Sequence, residues 1–416
     1  MEVADYGEQH TDPEEGCPVG HDEVLDYPLP NPTALEPPVE WERLRQGCPV
    51  APIRLPSGDR AVVLTRYADV KQVLADPRFT RRLNAPDAAR VADSESGGVF
   101  NNDLAAAIPD GGPEHQRWRQ LVGKWFTVKR LNSLRPAIEA MANQLVDAMV
   151  AEGAPADLKA SVGFPLPVWV ICELLGVPDS DRDRFSHWSD AMLNLTRYTD
   201  DEIRTAQAEF IGYMVAHVEA KRAEPRDDLL SALITDGTLS PQALLATGLG
   251  LLVAGHETTA NMIGKMVGML LSDRSRWERL LADPSLVRSA VEESLRFDAN
   301  PGVGLPRYIT EDTEIGGEVV PRGTTVMCSM GAANRDESAF DRAAEMDLTR
   351  SPNPHLAFGS GAHSCLGQAL ARTELQVTLE VLLRRLPDLR LAVEPAELNR
   401  VEGLVVGGLR EVPVRW

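Results

Sequence analysis

The sequence predicts a mainly helical fold with small β-sheets. Segments with helical periodicity are long and recur along the chain, whereas the segments typical of strands are short. A turn at Ser57-Gly58-Asp59 between two apolar stretches predicts a hairpin over 52–65. The predicted helices cover residues 38–46, 67–74, 114–126, 133–152, 163–175, 182–197, 201–223, 241–271 and 366–382.

Composition and charge exclude several classes of protein. The 416 residues carry a net charge of −20, which argues against nucleic acid as a partner. Residues 1–40 contain eleven Asp or Glu and no Lys or Arg, so we predict an acidic, Pro-rich and solvated tail over 1–32. No apolar run approaches the roughly 20 residues of a membrane span. Five scattered cysteines and the lack of a signal peptide indicate a reducing cytoplasm without a disulfide framework.

The stretch from Phe358 to Gly367, the cysteine loop, combines glycines with one cysteine ahead of an amphipathic helix. Cys365 lies at the helix N-terminus, where unpaired N–H groups and the helix dipole favour a thiolate. A thiolate in a tight loop with backbone donors suits an axial ligand to iron. The alternatives are a buried structural cysteine and a zinc site of Cys365, His363 and His355, which lacks a fourth ligand.

The segment 241–271 predicts a second functional region. It is apolar from Gly248 to Gly255 and then turns polar at Glu257 and Thr258. An apolar helix of this length should be buried on all sides, and a carboxylate inside it is costly without a purpose. Thr258 can bend the helix by bonding a backbone carbonyl, which opens a groove for water. The alternative, a polar cluster at the cap of a surface helix, is disfavoured by the apolar run.

Two pairs of side chains have helical spacing. Glu293 and Arg296 are three residues apart, and His115 and Arg119 are four apart, so each pair shares a helix face. Exposed pairs of this kind contribute little to stability. An arginine fork also binds a carboxylate strongly and directionally, which makes Arg119 a candidate for ligand binding.

Together these features resemble the cytochromes P450. The cysteine loop fills every fixed position of their F-G-x-G-x-H-x-C-x-G pattern. The run from Ala254 to Thr259 matches A-G-x-[DE]-T-T, and the two pairs match E-x-x-R and H-x-x-x-R. The resemblance extends from residue 33 to the end of the chain. It implies a single, mainly helical P450 domain over 33–416 and haem b bound through Cys365.

The resemblance implies roles for individual residues around the haem. Thr258 and Glu257 would deliver protons and protect the activated oxygen. Ala254 and Gly255 are small and would leave room for O2. The remaining implied haem contacts are Phe358, Gly359 and Gly367 in the loop, and His115, Arg119, Arg307, His363 and His355 at the propionates.

In P450s the E-x-x-R pair is a buried structural support beneath the cysteine loop, and the resemblance implies this role for Glu293 and Arg296. The third partner of the pair stays open, with Arg350 as a candidate. The segment before Arg350 departs from the usual bacterial pattern at Ala343 and Glu345.

The implied reaction is monooxygenation, in which O2, two electrons and two protons convert R–H into R–OH and water. The resemblance favours a soluble, bacterial (actinobacterial-like) enzyme that hydroxylates or oxidatively couples a hydrophobic small molecule in secondary metabolism. A peroxide-driven haem-thiolate enzyme and a non-catalytic haem-binding protein are the alternatives, and the intact Glu257–Thr258 pair disfavours both. The suggested substrate contacts are Phe100, Asn101, Leu193, Val253, Val303 and Val405.

Electrons must come from separate proteins, because the chain contains no flavin or nicotinamide motif. The expected partners are a ferredoxin and a ferredoxin reductase. The helix over 114–126 and the cysteine loop are expected to meet on one side of the haem. Such a surface would steer an acidic ferredoxin. This basic patch consists of Arg117, Lys124, Lys129, Arg130 and Arg372.

Overall fold

The computed structural model describes residues 24–93, 105–300 and 302–416. Helices make up most of its regular structure, which confirms the predicted fold class. They are α1 (Glu40–Gly47), α2 (Tyr67–Ala75), α3 (Gly112–Gly123), α4 (Val128–Glu152), α5 (Pro165–Leu175), α6 (Phe185–Met192), α7 (Asp200–Ala223), α8 (Leu229–Asp236), α9 (Pro241–Leu271), α10 (Arg274–Ala282), α11 (Val287–Phe297), α12 (Met330–Ala333) and α13 (Gln368–Arg385).

The strands are short. They are β1 (Leu25–Asp26), β2 (Val50–Arg54), β3 (Arg60–Leu64), β4 (Phe79–Thr80), β5 (Ala156–Asp157), β6 (Leu305–Ile309), β7 (Thr313–Ile315), β8 (Glu318–Val320), β9 (Thr325–Cys328), β10 (Arg390–Leu391) and β11 (Pro413–Arg415). Six of them form a mixed sheet in the order β1-β2-β3-β9-β6-β4. A three-stranded sheet has the order β10-β11-β5, and β7 pairs with β8. The antiparallel pairing of β2 with β3 confirms the predicted hairpin.

Helix α9 has the bounds that its apolar pattern predicts, and it packs against α5, α6, α7 and α13. Two of its glycines permit close packing with neighbouring helices. A Cβ at Gly248 would lie 2.8 Å from the sulfur of Met214 in α7. A Cβ at Gly255 would lie 2.7 Å from Cδ1 of Ile171 in α5. The central helix is therefore locked into place by helices on several sides.

Helix α13 fixes the end of the cysteine loop. It packs against α4, α9 and α11 and buries Leu370, Leu375, Leu379 and Leu382. Burying a leucine side chain contributes roughly 1.5–3 kcal/mol. The residue that precedes this helix is consequently held in a fixed position.

Helix α6 is shorter than the helix predicted over 182–197. A 3₁₀ turn precedes it, and a side-chain turn follows it. The Asn194 Oδ1 atom accepts hydrogen bonds from the N–H groups of Arg197 (2.7 Å) and Tyr198 (2.8 Å). Asparagine favours such turns because its side chain replaces a backbone partner. The backbone that follows α6 pairs instead with the C-terminal loop.

The prediction of a solvated tail over 1–32 does not hold for the last residues of that segment. Strand β1 pairs in parallel with β2 at the edge of the large sheet. Tyr27 and Leu29 are buried, and the Tyr27 hydroxyl donates a hydrogen bond to the Val303 carbonyl (2.7 Å). Acidic composition averaged over the whole segment concealed these few apolar side chains. The part of the tail before residue 24 lies outside the described residues.

The sequence analysis expected no disulfide framework and did not predict that Cys48 is disulfide-bonded. Cys328 and Cys365 are free thiols. Scattered spacing does not reveal which cysteines meet in a fold.

Among the described residues, no single helix is long and apolar enough to cross a membrane. A bent pair over Lys159–Leu175 and Ser180–Met192 reaches the required length and composition.

Candidate active site

The cysteine loop is a tight turn that its own backbone holds. The Cys365 N–H donates a hydrogen bond to the Phe358 carbonyl (2.8 Å). Gly359 and Gly361 have φ angles of +69° and +72°, which glycine adopts without strain. A Cβ at Gly361 would lie 2.5 Å from the Ala75 Cα. The geometry of the loop therefore requires glycine at positions 359 and 361 of the motif.

Cys365 is exposed to solvent, although many protein atoms lie around its thiol. A backbone donor and two arginine side chains are among these neighbours. Burial raises the pKa of the thiol, and the Gly367 N–H, Arg119 and Arg372 act in the opposite direction. A backbone donor at the sulfur restrains electron donation from a thiolate to a metal. One exposed sulfur with such neighbours suits an axial ligand.

Helix α9 is continuous from Pro241 to Leu271. Halfway along it, at a point that we call the opening of α9, Ala254 is exposed, whereas Leu252 and Val253 beside it are buried. The Thr258 hydroxyl donates a hydrogen bond to the Ala254 carbonyl (2.9 Å), and Asn300 Nδ2 donates to the Thr258 carbonyl (2.9 Å). Side-chain bonds to helix carbonyls compete with the main-chain ladder and favour a local bend. This geometry fits the groove that the sequence predicts.

Glu257 is buried within α9, and its Oε1 atom accepts a hydrogen bond from Asn261 Nδ2 (2.7 Å). Burial raises the pKa of Glu257, and the opposing effects of Lys159 and Asn261 do not cancel it. Asp190 on α6 interacts electrostatically with Glu257. Burial raises the pKa of Asp190, and the charge of Glu257 raises it further. A carboxyl group with a raised pKa holds its proton to a higher pH than an exposed carboxyl group does, and such a group can act as a proton donor. No local motif marks Lys159 or Asp190, and the sequence analysis missed both.

Four of the predicted propionate contacts belong to one basic cluster beside the cysteine loop. The ring centres of His115 and His363 lie 4.5 Å apart. Arg119 Nη2 donates a hydrogen bond to the Ser364 carbonyl (2.8 Å). Arg307 is buried and adds charge that lowers the pKa of His363. Burial lowers the pKa values of His115, Arg119 and Arg307.

Arg81 adds a further charge to this cluster, and the sequence analysis missed it. Burial, followed by Arg81 and His115, lowers the pKa of His363 to about 4. Arg81 Nε bonds Asp110 Oδ1 (2.7 Å), and this carboxylate offsets part of the charge. A partly buried excess of positive charge fits a ligand that carries two carboxylates, as the two propionates of haem do. Arg81 follows the two-residue strand β4, where no periodicity signals a function.

The prediction that His355 contacts a propionate is wrong. Its Nε2 atom lies 3.1 Å from Oε2 of Glu292 in α11. Its Nδ1 atom accepts a hydrogen bond from the Ala357 N–H (3.3 Å). Both ring nitrogens are therefore engaged within the protein.

The prediction for Gly255 also needs correction. The missing Cβ would point at Ile171 of α5. The small size of Gly255 is thus required for helix packing, and Ala254 is the small residue at the opening. The zinc alternative finds no support either, since the described residues contain no group of three or more His, Cys, Asp or Glu that could hold a metal ion.

Glu293 and Arg296 form the centre of a buried network. Arg296 Nε and Nη2 each donate to one oxygen of Glu293 (both 2.8 Å). Arg350 Nε lies 3.2 and 3.1 Å from the same two oxygens, so it is the third partner that the sequence left open. Arg296 also donates to the backbone carbonyls of Asn334, Ala343 and Glu345. Any residue supplies a carbonyl, which explains why the departures from the usual pattern leave the network intact.

The predicted substrate contacts divide into two groups. Leu193, Val253, Val303 and Val405 are buried. The Val405 N–H donates to the Leu193 carbonyl (2.8 Å), so the segment after α6 meets the C-terminal loop. Phe100 and Asn101 lie outside the described residues.

Comparisons with known proteins agree with this geometry. The family model described as Cytochrome P450 matches residues 173–387. The mycinamicin IV hydroxylase/epoxidase of Micromonospora griseorubida is 42% identical over 395 residues, which cover 94% of this chain and 98% of that protein. The nocardicin C N-oxygenase of Nocardia uniformis subsp. tsuyamanensis is 41% identical over 397 residues, which cover 94% and 98%.

Solved structures show the same relationship. The LnmA cytochrome P450 hydroxylase from the leinamycin biosynthetic pathway of Streptomyces atroolivaceus S-140 superposes with a TM-score of 0.85 at 39% identity. That match covers 94% of this chain and 100% of the other. The chain therefore belongs to the cytochrome P450 family of haem b monooxygenases.

Proposed function

We propose that this enzyme is a haem-thiolate monooxygenase of bacterial secondary metabolism, with Cys365 as the axial ligand of iron. The observation that carries the proposal is the exposed thiol of Cys365 at the start of α13, next to a partly buried cluster of basic side chains. A thiolate is one of the ligands that haem iron takes from proteins, and the basic cluster suits the two propionates of haem.

Bound haem supplies the oxidising chemistry, in which one oxygen atom of O2 enters the substrate and the other leaves as water. Cys365 would hold the iron through its sulfur, and the Gly367 N–H would reduce the electron donation of the thiolate. Arg119, Arg307 and His363 would hold the propionates and so orient the cofactor within the fold. His115, whose ring lies tilted against that of His363, completes the basic cluster.

Glu257 and Thr258 deliver the protons that the reaction consumes. The raised pKa of Glu257 allows it to hold a proton in its buried position and to release it. The Thr258 hydroxyl, which donates to the Ala254 carbonyl, is placed at the opening of α9. The pair argues against the peroxide-driven and the non-catalytic alternatives, because neither needs proton delivery inside an apolar helix.

The substrate class follows from the lining and from the relatives. Leu193, Val253, Val303 and Val405 are apolar and buried, which favours a hydrophobic compound held by shape. Relatives are named for the oxidation of mycinamicin IV and of nocardicin C. These names support a natural product of a similar kind as substrate of this enzyme, for which the cytoplasm is the proposed location.

A ferredoxin is the proposed electron donor. Arg117, Lys124 and Lys129 of the basic patch are exposed, as a docking surface requires. Two members of the patch are weaker candidates than predicted. Arg372 forms a bidentate pair with Glu292, and Arg130 Nη2 lies 3.1 Å from Asp227 Oδ1. The charge that steers a partner therefore comes from α3, from the turn that follows it and from the start of α4.

The test combines binding with turnover. Hydrophobic natural products are screened for a high-spin shift of the haem spectrum, which reports displacement of the sixth ligand by a bound substrate. Positive compounds are then incubated with NADH, ferredoxin and ferredoxin reductase. We expect an oxygenated or coupled product that depends on all three. Product formed with peroxide alone, and none with the ferredoxin system, would favour the peroxide-driven alternative.

A further inference from the structure

The ring of Phe358, the first residue of the cysteine loop, lies between two basic side chains. The Arg372 guanidinium carbon is 4.5 Å from the ring centre, and the centre of the His355 ring is 6.0 Å away. A cation over an aromatic face is attracted by the ring quadrupole. The Phe358 carbonyl in turn accepts the Cys365 N–H. The position of Phe358 is therefore coupled to that of the cysteine.

One carboxylate fixes both basic groups. Glu292 on α11 accepts hydrogen bonds from Arg372 Nε (2.7 Å, at Oε1) and Arg372 Nη2 (3.0 Å, at Oε2). Its Oε2 atom also lies 3.1 Å from His355 Nε2. Burial raises the pKa of Glu292, but the bonds from His355 and Arg372 outweigh it and lower the pKa to about 2. Glu292 is therefore ionised at any working pH.

Glu292 differs from its neighbour in sequence. Glu293 belongs to the E-x-x-R motif and supports the segment around Arg350. Glu292 belongs to no motif that the sequence analysis used, and it points to α13 and the cysteine loop instead. The side chains of Glu292 and Arg372 are 21% and 29% exposed, so solvent screens this pair less than a fully exposed one.

We propose that Glu292 is a positioning residue for the iron site. It holds Arg372 over Phe358 and neutralises the Arg372 charge near the Cys365 thiolate, and it thereby sets the reduction potential of the haem iron. This inference rests on the proposed role of Cys365 as axial ligand. Reduction adds negative charge at the iron, so a net positive charge nearby favours the reduced state and a net negative charge disfavours it.

The proposal makes a prediction of sign. Glu292→Gln leaves the Arg372 charge uncompensated, and the midpoint potential should move to a more positive value. Arg372→Gln leaves the Glu292 charge uncompensated, and the potential should move to a more negative value. The double variant removes both charges and should lie between the two single variants. A pair that merely tied α11 to α13 would instead give shifts of the same sign, because either variant would loosen the loop.

The experiment measures the ferric–ferrous midpoint potential of holoenzyme by anaerobic dye titration, together with the spectrum of the carbon monoxide adduct. The matched control is Glu380→Gln. It removes one negative charge from α13, where Glu380 bonds Arg135 Nη2 (2.6 Å) at a partly exposed site away from the loop. We expect a smaller shift for this control than for either variant of the proposed pair.

The outcomes distinguish a failure of the proposed function from a failure of the proposed role of Glu292. A wild-type protein without the thiolate-type spectrum would overturn the proposed function, and the inference with it. A wild type with that spectrum, combined with equal or same-sign potentials for E292Q and R372Q, would overturn the inference alone. If E292Q yields no holoenzyme, R372Q decides, since a negative shift supports the inference and a positive or absent shift overturns it.

Discussion

Half-buried Glu292 and buried Glu257 are held in opposite charge states by their surroundings. Glu292, near the cysteine, accepts bonds from Arg372 and His355, and its pKa falls to about 2. Glu257, in the distal helix, is bonded to the neutral amide of Asn261, and burial raises its pKa. The residue type is the same, and the partners decide the charge state.

The difference matches the demands of the two sides. The cysteine side needs fixed charges, and the chain supplies ion pairs with several hydrogen bonds each, as in the Glu293–Arg296–Arg350 network. The distal side needs a proton that can move, and a carboxyl without a cation in hydrogen-bonding contact can gain or lose one. The predictions that follow act on one side or the other, beginning with the largest effect.

Arg296→Leu should damage the cysteine side most severely. It leaves the Glu293 charge buried with less compensation and removes the donor to three backbone carbonyls. Breaking a buried pair in this way costs about 3–5 kcal/mol, so we expect little haem-containing protein and a large drop in the free energy of unfolding. The exposed control Arg342→Gln should change stability by less than about 1 kcal/mol. An R296L enzyme as stable as wild type would refute the structural role.

Glu257→Gln should act on the distal side and leave the fold intact. An amide cannot relay protons, so turnover should fall by roughly 10²–10⁴-fold while haem content stays normal. The raised pKa has a further consequence. Wild-type turnover should decline as the pH rises through that pKa, because the proton is lost, and the E257Q rate should not follow. Unchanged turnover in E257Q, with the exposed Glu219→Gln as control, would remove Glu257 from the relay.

Gly408→Ala should disturb Glu257 indirectly, with a smaller effect. A Cβ at Gly408 would lie 2.0 Å from Asn261 Oδ1, and Asn261 is the donor to Glu257. Forcing the amide aside should cost about 1–3 kcal/mol of stability and lower turnover. The neighbouring Gly407→Ala is the control, because its Cβ would meet an atom no closer than 3.9 Å. Equal behaviour of the two variants would contradict the proposed coupling.

Arg117→Glu combined with Lys124→Glu should produce the smallest change, confined to electron delivery. Both side chains are exposed, so stability should stay within about 0.5 kcal/mol of wild type. The rate of reduction by ferredoxin should fall at low ionic strength, and the difference from wild type should shrink as salt is added. Stopped-flow reduction at several salt concentrations measures this. A rate insensitive to both changes would mean that the partner docks elsewhere.

The sequence predicted those parts of the site that lie close together along the chain. The cysteine loop, the α9 opening and the paired residues His115 and Arg119 each have a fixed local spacing that reflects a turn or a helix face. The E-x-x-R network could be predicted in the same way, although its third partner came from a distant segment and required the structure.

The remaining residues could not be predicted, because their partners are distant in sequence. His355 stands next to the cysteine loop, yet Glu292 of α11 holds its ring. Arg81 and Asp190 lie in segments without a motif. Their roles follow from the charged groups that the fold places near them, His363 for Arg81 and Glu257 for Asp190. The end of α6 depends on Asn194, whose side chain outweighs the helical pattern around it.

The central claim is that Cys365 is the thiolate ligand of haem iron. The most direct test is the spectrum of the dithionite-reduced carbon monoxide complex of wild type and Cys365→Ser, with Cys172→Ser, at a buried cysteine, as control. The wild type and C172S should show the thiolate-type Soret band, and C365S should lack it because an alcohol is far too weakly acidic to replace a thiolate. A C365S protein that kept the band would show that another cysteine is the ligand and would contradict the account.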